Sequence, residues 1–208
     1  MIKVAISPRI TETSDYIELR DSISHDWIRL LNHWEAWPII IPNVLNDPEA
    51  FLDAQKCNIL ILTGGDDYGQ CPVRDNQEER LLAHAIITKL PVLAICRGMQ
   101  MCAQLAGAKL ENLSGHIATT HKILFHGPGR LVYPKATHVN SFHALGLRAN
   151  QLPNKFTAIA TDEKGYIEAM VDRENPITCI MWHPERSPAP VEDRLLFGKL
   201  VSHGAFWA

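Results

Sequence analysis

The sequence predicts an α/β protein: three layers, with a mainly parallel central sheet, helices on both faces and a few antiparallel additions. Two observations carry this. Short apolar runs recur along the first half of the chain, among them KVAIS, WPIII, NILIL and PVLAI. Runs of that kind suit strands buried on both faces, as parallel strands are. Between them lie segments with helical spacing, and strict alternation of strand and helix is the mark of a parallel sheet.

Taken in order, KVAIS at 3–7 is the first strand. Residues 21–34 carry Ile23, Trp27, Leu30, Leu31 and Trp34 at helical spacing. WPIIIP at 37–42 is the second strand, closed by Pro42, and 48–54 forms a short helix. NILIL at 58–62 is the third strand and runs into TGGDD. Asp75 and Glu78 have the D-x-x-E spacing of a capping box. They would open a helix to about Lys89, with Leu81, Leu82 and Ile86 on one face. PVLAI at 91–95 is the fourth strand, and a helix follows Cys96.

After Gly107 the pattern changes. HKILFHGPGRLVYP, 121–134, reads as two short strands around a Gly-Pro-Gly hairpin turn. Strands follow at 156–162, 165–171 and 177–182, and 191–203 is an amphipathic helix. Trp27, Trp34 and Trp37 read as core and helix-packing residues. No repeat, low-complexity tract or linker interrupts the chain, so a single domain over 1–208 is expected.

The 208 residues are 46% hydrophobic and 21% charged, ordinary for a globular domain. The net charge of -3 gives no general basic field of the kind that binds nucleic acid. Cys57, Cys71, Cys96, Cys102 and Cys179 are odd in number and form no C-x-x-C. That argues against a disulfide framework or zinc ribbon and fits a reducing cytosol. MIKVAIS already reads as a strand, with no charged leader ahead of an apolar stretch. No apolar run reaches the roughly 18 residues of a membrane span. A cytoplasmic protein with no nucleic-acid or membrane partner is expected. No feature reports an interface, and a homodimer stays open.

The chemistry starts at LPVLAICRGMQMCAQL. An apolar strand ends on Cys96 and a helix begins at once, which is the geometry of a nucleophile elbow. Such a turn needs small neighbours, and Ala94 and Gly98 flank the thiol. The helix N-terminus would favour thiolate. Taken alone, the same pattern also suits a packed structural cysteine, as Cys102 and Cys179 are taken to be. A catalytic cysteine wants a histidine with its own orienting group. ITCIMWHPER supplies both where a strand ends: His183, then Glu185 across Pro184. Glu185 could instead pair with Arg186. Cys96 and His183 both stand at carboxyl ends of strands, where sites of α/β sheets gather. In TGGDD, Gly64 and Gly65 would turn backbone N–H groups toward the same region. Gly65 N–H with that of Arg97 would form an oxyanion hole; a plain turn is the alternative.

Three strand-end signatures, TGGDD, ICRGMQ and MWHPE, resemble those of the class I glutamine amidotransferases, and within them the γ-glutamyl hydrolase branch, peptidase family C26. The resemblance covers most of the chain and implies a flavodoxin-like sheet. It also implies a Cys–His–Glu triad that cleaves γ-glutamyl amides through a thioester, with no metal or organic cofactor. Cys96 would be the nucleophile, His183 the general base and acid, and Glu185 its orienter. Gly64, Gln100 and the NSFH segment (Asn140, Ser141, Phe142 and His143) would line the glutamyl pocket. Ala94 departs from the family's usual glycine, so extra strain is expected at the elbow.

ISPR, DYIELRDSISHDW, TGGDD, VNSFH and IMWHPER together look most like the γ-glutamyl-CDP-amidate hydrolases of surface-polysaccharide phosphoramidate synthesis. That resemblance implies a small γ-glutamyl substrate carrying a nucleoside diphosphate. Arg9 and Arg20, in the loop after the first strand, would then hold the diphosphate; pairing with Glu18 or Asp21 is the plain alternative. A γ-glutamyl-γ-aminobutyrate hydrolase of polyamine catabolism stands as an alternative. So does a glutaminase subunit that passes ammonia to a synthetase. His116, His121 and His126 recur every five residues, a spacing that places them on neither one strand face nor one helix face, so no metal site is expected from them.

Overall fold

The computed structural model describes residues 1–207. In chain order its strands and helices are β1 (Ile2–Ile6), β2 (Arg9–Glu12), β3 (Leu19–Ser22), α1 (His25–His33), β4 (Ala36–Ile40), α2 (Pro48–Gln55), β5 (Ile59–Leu62), α3 (Pro72–Thr88), β6 (Val92–Ile95), α4 (Arg97–Leu105), β7 (Glu111–Asn112), β8 (Ile117–Phe125), β9 (Thr137–Phe142), β10 (Leu145–Gly146), β11 (Phe156–Asp162), β12 (Ile167–Asp172), β13 (Ile177–Ile180) and α5 (Asp193–His203).

Nine strands form one sheet in the order β4-β1-β5-β6-β13-β12-β11-β8-β9. The first five are parallel and the last four join antiparallel. β5, β6 and β13 are fully buried, which is why they read as unbroken apolar runs. Helix α2 packs against α3, and Trp34 at the end of α1 stacks on Phe197 of α5 at 4.8 Å; the right-handed crossover rule assigns these two groups to opposite faces of the sheet. The fold is the α/β, flavodoxin-like class expected. No helix among the described residues is long and apolar enough to cross a membrane.

Several sequence expectations are corrected. Helix α1 starts at His25, not at 21, because the Ser24 hydroxyl caps it by accepting from Asp26 N–H. The preceding residues pair instead as a β2–β3 hairpin, with Arg9 opposite Ser22. Leu131–Pro134 is not a strand. GPGRL forms a 3-10 turn, after which Tyr133 folds back to stack on Phe125 at 4.3 Å. Trp27 and Trp34 are buried, but Trp37 is exposed, because β4 is the sheet edge.

The D-x-x-E pair is no capping box. Pro72 starts α3, and its fixed φ suits the first turn. Asp75 and Glu78 turn inward onto the Arg97 guanidinium, and both ion pairs are buried. Glu78 also takes Arg74 Nε at 2.8 Å. Arg74 Nη2 reaches the carbonyls of Thr63 at 2.9 Å and Gly64 at 3.1 Å. Two arginines and two carboxylates thus tie the exit of β5 to the start of α4. Burial lowers the Arg74 pKa, and Glu78 opposes that shift.

Removing one partner of a buried ion pair leaves an uncompensated charge and costs about 3–5 kcal/mol. Glu78→Ala should therefore destabilise the protein by about that much in urea melts. A loss below about 1 kcal/mol, the range of surface pairs, would show that the network does not brace the fold.

Candidate active site

Three adjacent strand ends make the site. In the sheet Leu62 lies beside Ala94, and Ile95 beside Ile180. The chain leaves β5 into Thr63–Gly64–Gly65, leaves β6 into Cys96, and leaves β13 toward His183. β1 joins from the side, where the Thr63 hydroxyl donates to the Ser7 carbonyl at 2.7 Å.

Cys96 sits at φ 51°, ψ -101°, a sparsely populated conformation held by its surroundings. Its N–H donates to Ile180 O at 2.8 Å, and its carbonyl accepts from Gln100 N at 2.9 Å. The turn is tight because α4 lies on β5. A Cβ on Gly98 would stand 2.7 Å from the Leu62 carbonyl oxygen and 3.3 Å from Ala94 Cβ. The Ala94 methyl is accommodated because Gly98 has no side chain. Arg97 is the first residue of α4, where an amide has no intrahelical acceptor.

His183 is 3% exposed. Its Nδ1–H donates to Glu185 Oε1 at 2.8 Å, so Nε2 is left free of that carboxylate. A Cβ on Gly64 would meet His183 Cε1 at 2.6 Å, Nε2 at 3.3 Å and Cys96 Cβ at 3.5 Å. Gly64 therefore packs against imidazole and thiol together. Burial alone would lower the His183 pKa. The Cys96 side chain and the Glu185 carboxylate outweigh it and raise the value to about 9. Arg186 Nε stands 3.6 Å from the same Glu185 oxygen, so the carboxylate serves the imidazole first.

The NSFH segment divides by strand alternation. Asn140 and Phe142 face His183. Asn140 Nδ2 reaches the carbonyls of His183, Arg186 and Pro188 at 2.7–2.9 Å, and its Oδ1 accepts the His183 N–H at 3.0 Å. The amide is spent on shaping the loop that carries the imidazole, a role the sequence reading missed. The Phe142 ring meets His183 edge-on at 5.7 Å. Ser141 and His143 point the other way: the Ser141 hydroxyl donates to the His116 carbonyl, and His143 Nδ1–H to the Leu145 carbonyl. Gln100, 2% exposed, donates to Leu145 O at 3.2 Å.

Arg9 lies over Gly65, with its guanidinium 3.1–3.2 Å from where a Cβ would be. It lines a cleft with Ser24, Trp27, Gly64, His183 and Arg186 and pairs with Asp66 at 3.3 Å. Arg20 is not brought to that cleft; it is exposed and paired with Glu18 and the Tyr16 hydroxyl. Arg186, which the sequence reading did not propose as a ligand, lies on the cleft wall with its guanidinium 4.6 Å from the Phe142 ring. Cys102 and Cys179 are core residues, and burial holds the Cys179 thiol well above its ordinary pKa.

A parallel sheet with a cysteine elbow on one strand and a carboxylate-backed histidine leaving the next is equipped for acyl transfer. The class-I glutamine amidotransferase family model matches residues 15–203, and the chain belongs to that family. Among its relatives, γ-glutamyl-CDP-amidate hydrolase of Campylobacter jejuni subsp. jejuni serotype O:2 is 26% identical over 191 residues, covering 88% of this chain and 90% of the relative. The pyrimidine-specific small chain of carbamoyl phosphate synthase from Bacillus subtilis is 24% identical over 180 residues, 86% of this chain. A glutamine amidotransferase-like protein of Lactococcus lactis is 30% identical over 155 residues, 61% of this chain. The chain spans 46% of the Bacillus relative and 65% of the Lactococcus one. Among solved structures, a Thermoplasma acidophilum protein described as a GMP synthase subunit superposes with TM-score 0.74 at 19% identity, covering 97% of this chain and 92% of that one.

His183 carries a raised pKa of about 9 against about 6.5 in the unfolded chain. The stability it gives is full below pH 6.5 and is lost as pH rises through 9. The melting-temperature gap between the wild type and His183→Gln should therefore narrow steadily from pH 7 to pH 10. A gap that widens over that range would contradict the assigned shift.

Proposed function

We propose that this protein hydrolyses a γ-glutamyl amide and releases L-glutamate, with γ-glutamyl-CDP-amidate as the preferred substrate and cytidine diphosphoramidate as the second product. The reaction would serve phosphoramidate decoration of a surface polysaccharide in the cytoplasm. The observation that carries the chemistry is the 2.8 Å His183–Glu185 bond on a ring packed beside an elbow cysteine.

Cys96 sulfur attacks the γ-carbonyl, and the N–H groups of Gly65 and Arg97 hold the developing oxyanion. His183 Nε2–H gives its proton to the leaving nitrogen as the C–N bond breaks, leaving a thioester. His183 then takes a proton from water, whose oxygen attacks the thioester carbonyl. Glutamate departs and the Cys96 sulfur is released. Glu185 holds the ring in the tautomer both steps need. Gln100 and Phe142 bound the glutamyl side.

The anionic leaving group is supported by the cleft that opens from Gly65 past Arg9 and Arg186. Arginine forks suit a diphosphate. The similarity to the Campylobacter hydrolase along most of both chains supports the same choice. Arg20, held by Glu18 outside the cleft, has no part in this reading. A second reading, a glutaminase subunit feeding ammonia to a synthetase, is favoured by the likeness to the Bacillus small chain.

Glutamate release should be compared for γ-glutamyl-CDP-amidate, γ-glutamyl-γ-aminobutyrate and glutamine. The first should be hydrolysed fastest, and Cys96→Ala should abolish turnover without unfolding the protein. Preference for the aminobutyrate compound would move the protein to polyamine catabolism. Turnover of glutamine alone would favour the ammonia-delivering reading, and activity in Cys96→Ala would sink the mechanism.

Gly64→Ala tests the close packing independently. Its methyl displaces His183, and a misplacement of about 1 Å can cost roughly 100-fold. The variant should lose about that factor in kcat; wild-type turnover would show that the close packing at Gly64 is not needed.

A further inference from the structure

A second cluster of chemistry-bearing side chains lies behind β9, on the face away from His183. His116, His121 and His143 bring their rings together, with centroids 4.8 Å apart for His116–His121 and 5.1 Å for His116–His143. Glu168 of β12 stands among them. Its carboxylate is 3.3 Å from His121 Nε2 and 3.7 Å from His143 Nε2. Asp162, at the end of β11, is 3.3 Å from His116 Nε2. One donor atom each from His116, His121 and Glu168 all lie within 4.8 Å of one another.

The five-residue spacing had argued against such a meeting. A bulge reverses that argument. Ala118 adopts φ 51°, and the pairing with β9 slips by one residue between Ile117 and Thr119. The extra residue restores parity, so His116 and His121 share a face with Ser141 and His143. His126 lies beyond the strand and bonds the Thr161 hydroxyl instead.

The centre of the cluster is not satisfied by its own hydrogen bonds. Glu168 is 1% exposed, yet among the described residues neither of its carboxylate oxygens has a hydrogen-bond partner, and neither do the two His121 nitrogens and His143 Nε2. His116 Nδ1 faces the Ser114 carbonyl and His143 Nδ1 the Leu145 carbonyl. Carbonyls only accept, so both Nδ1 atoms carry the hydrogen. His116 Nε2 meets Asp162 Oδ2 within hydrogen-bond distance, and Asp162 Oδ1 accepts the N–H groups of Lys164 and Tyr166. Glu168 has no such partners: it stands between His121 and His143 with both oxygens unbonded, a buried carboxylate among imidazoles that lacks a cation.

We propose that this cluster binds one divalent transition-metal ion of the zinc type, held by His116, His121 and Glu168, with His143 and Asp162 completing or flanking the sphere. Mixed imidazole and carboxylate donors suit such an ion. Its two charges balance the two carboxylates. Small side-chain rotations would bring the donors to the ~2.0–2.2 Å of zinc bonds. The site is closed, so the ion is structural. It pins β8, β9 and β12 together behind the strand that carries Asn140 and Phe142. The inference does not depend on the proposed reaction.

The test uses Cys96→Ala protein, so that the thiol beside His183 cannot bind metal. Metal content is measured on untagged protein, followed by Co²⁺ titration and melting with and without Zn²⁺. The expected result is about one equivalent of metal, a visible Co²⁺ spectrum without a thiolate band, and a melting temperature raised by Zn²⁺. In Glu168→Gln the affinity should fall more than about 100-fold, beyond the usual loss from a partner of a ligand. If Glu168→Gln does not fold, His116→Asn and the Co²⁺ spectrum of the Cys96→Ala protein decide. A Co²⁺ spectrum with a thiolate band, binding unchanged in these variants, or no stoichiometric binding at all would overturn the proposal; the last outcome would leave the cluster as imidazolium–carboxylate pairs.

Discussion

Most of what is functional here depends on charges placed where water does not reach. Arg97 begins the helix behind the cysteine elbow, and its guanidinium is anchored in Asp75 and Glu78. Arg74 shares Glu78 and grips the carbonyls of Thr63 and Gly64. A single buried carboxylate therefore serves both sides of the cleft. Desolvating four charged groups is costly, and such pairs add stability only when every partner is present. What the arrangement fixes is relative position: the glycines leaving β5 cannot shift without disturbing the helix on which the cysteine depends.

The imidazole is held with similar redundancy. Glu185 sets its tautomer, Asn140 clamps the backbone on both sides of it, and Gly64 leaves just enough space beside it. These constraints come from three separate segments of chain. Each acts on a different degree of freedom of one ring: its proton, its backbone path and its tilt. Preorganisation of this kind is what lets a modest set of groups act on charge that develops only fleetingly.

The parts legible in the sequence were those with local signals. Buried parallel strands announce themselves as apolar runs, and the strand-to-helix turn at Cys96 and the HPE exit at 183–185 lie at their ends. The parts that stayed hidden depend on distant partners. Asp75 and Glu78 look like a helix cap until Arg97 is seen beneath them. Asn140 and Ser141, neighbours in one motif, serve opposite faces because a strand alternates. The β2–β3 hairpin is hidden because its short polar strands carry no apolar periodicity. The meeting of His116 and His121 needed a backbone irregularity that no side-chain pattern encodes.

That irregularity has an evolutionary corollary. The bulge at Ala118 is one residue long, and the pairs on either side of it keep step with β9. Loss of that one codon would shorten the spacing of His116 and His121 from five to four, and the regular ladder left behind would still hold both on one face. Among homologous chains, then, a spacing of four without a bulge and a spacing of five with one would build the same cluster, and a search for one fixed spacing would overlook half of them.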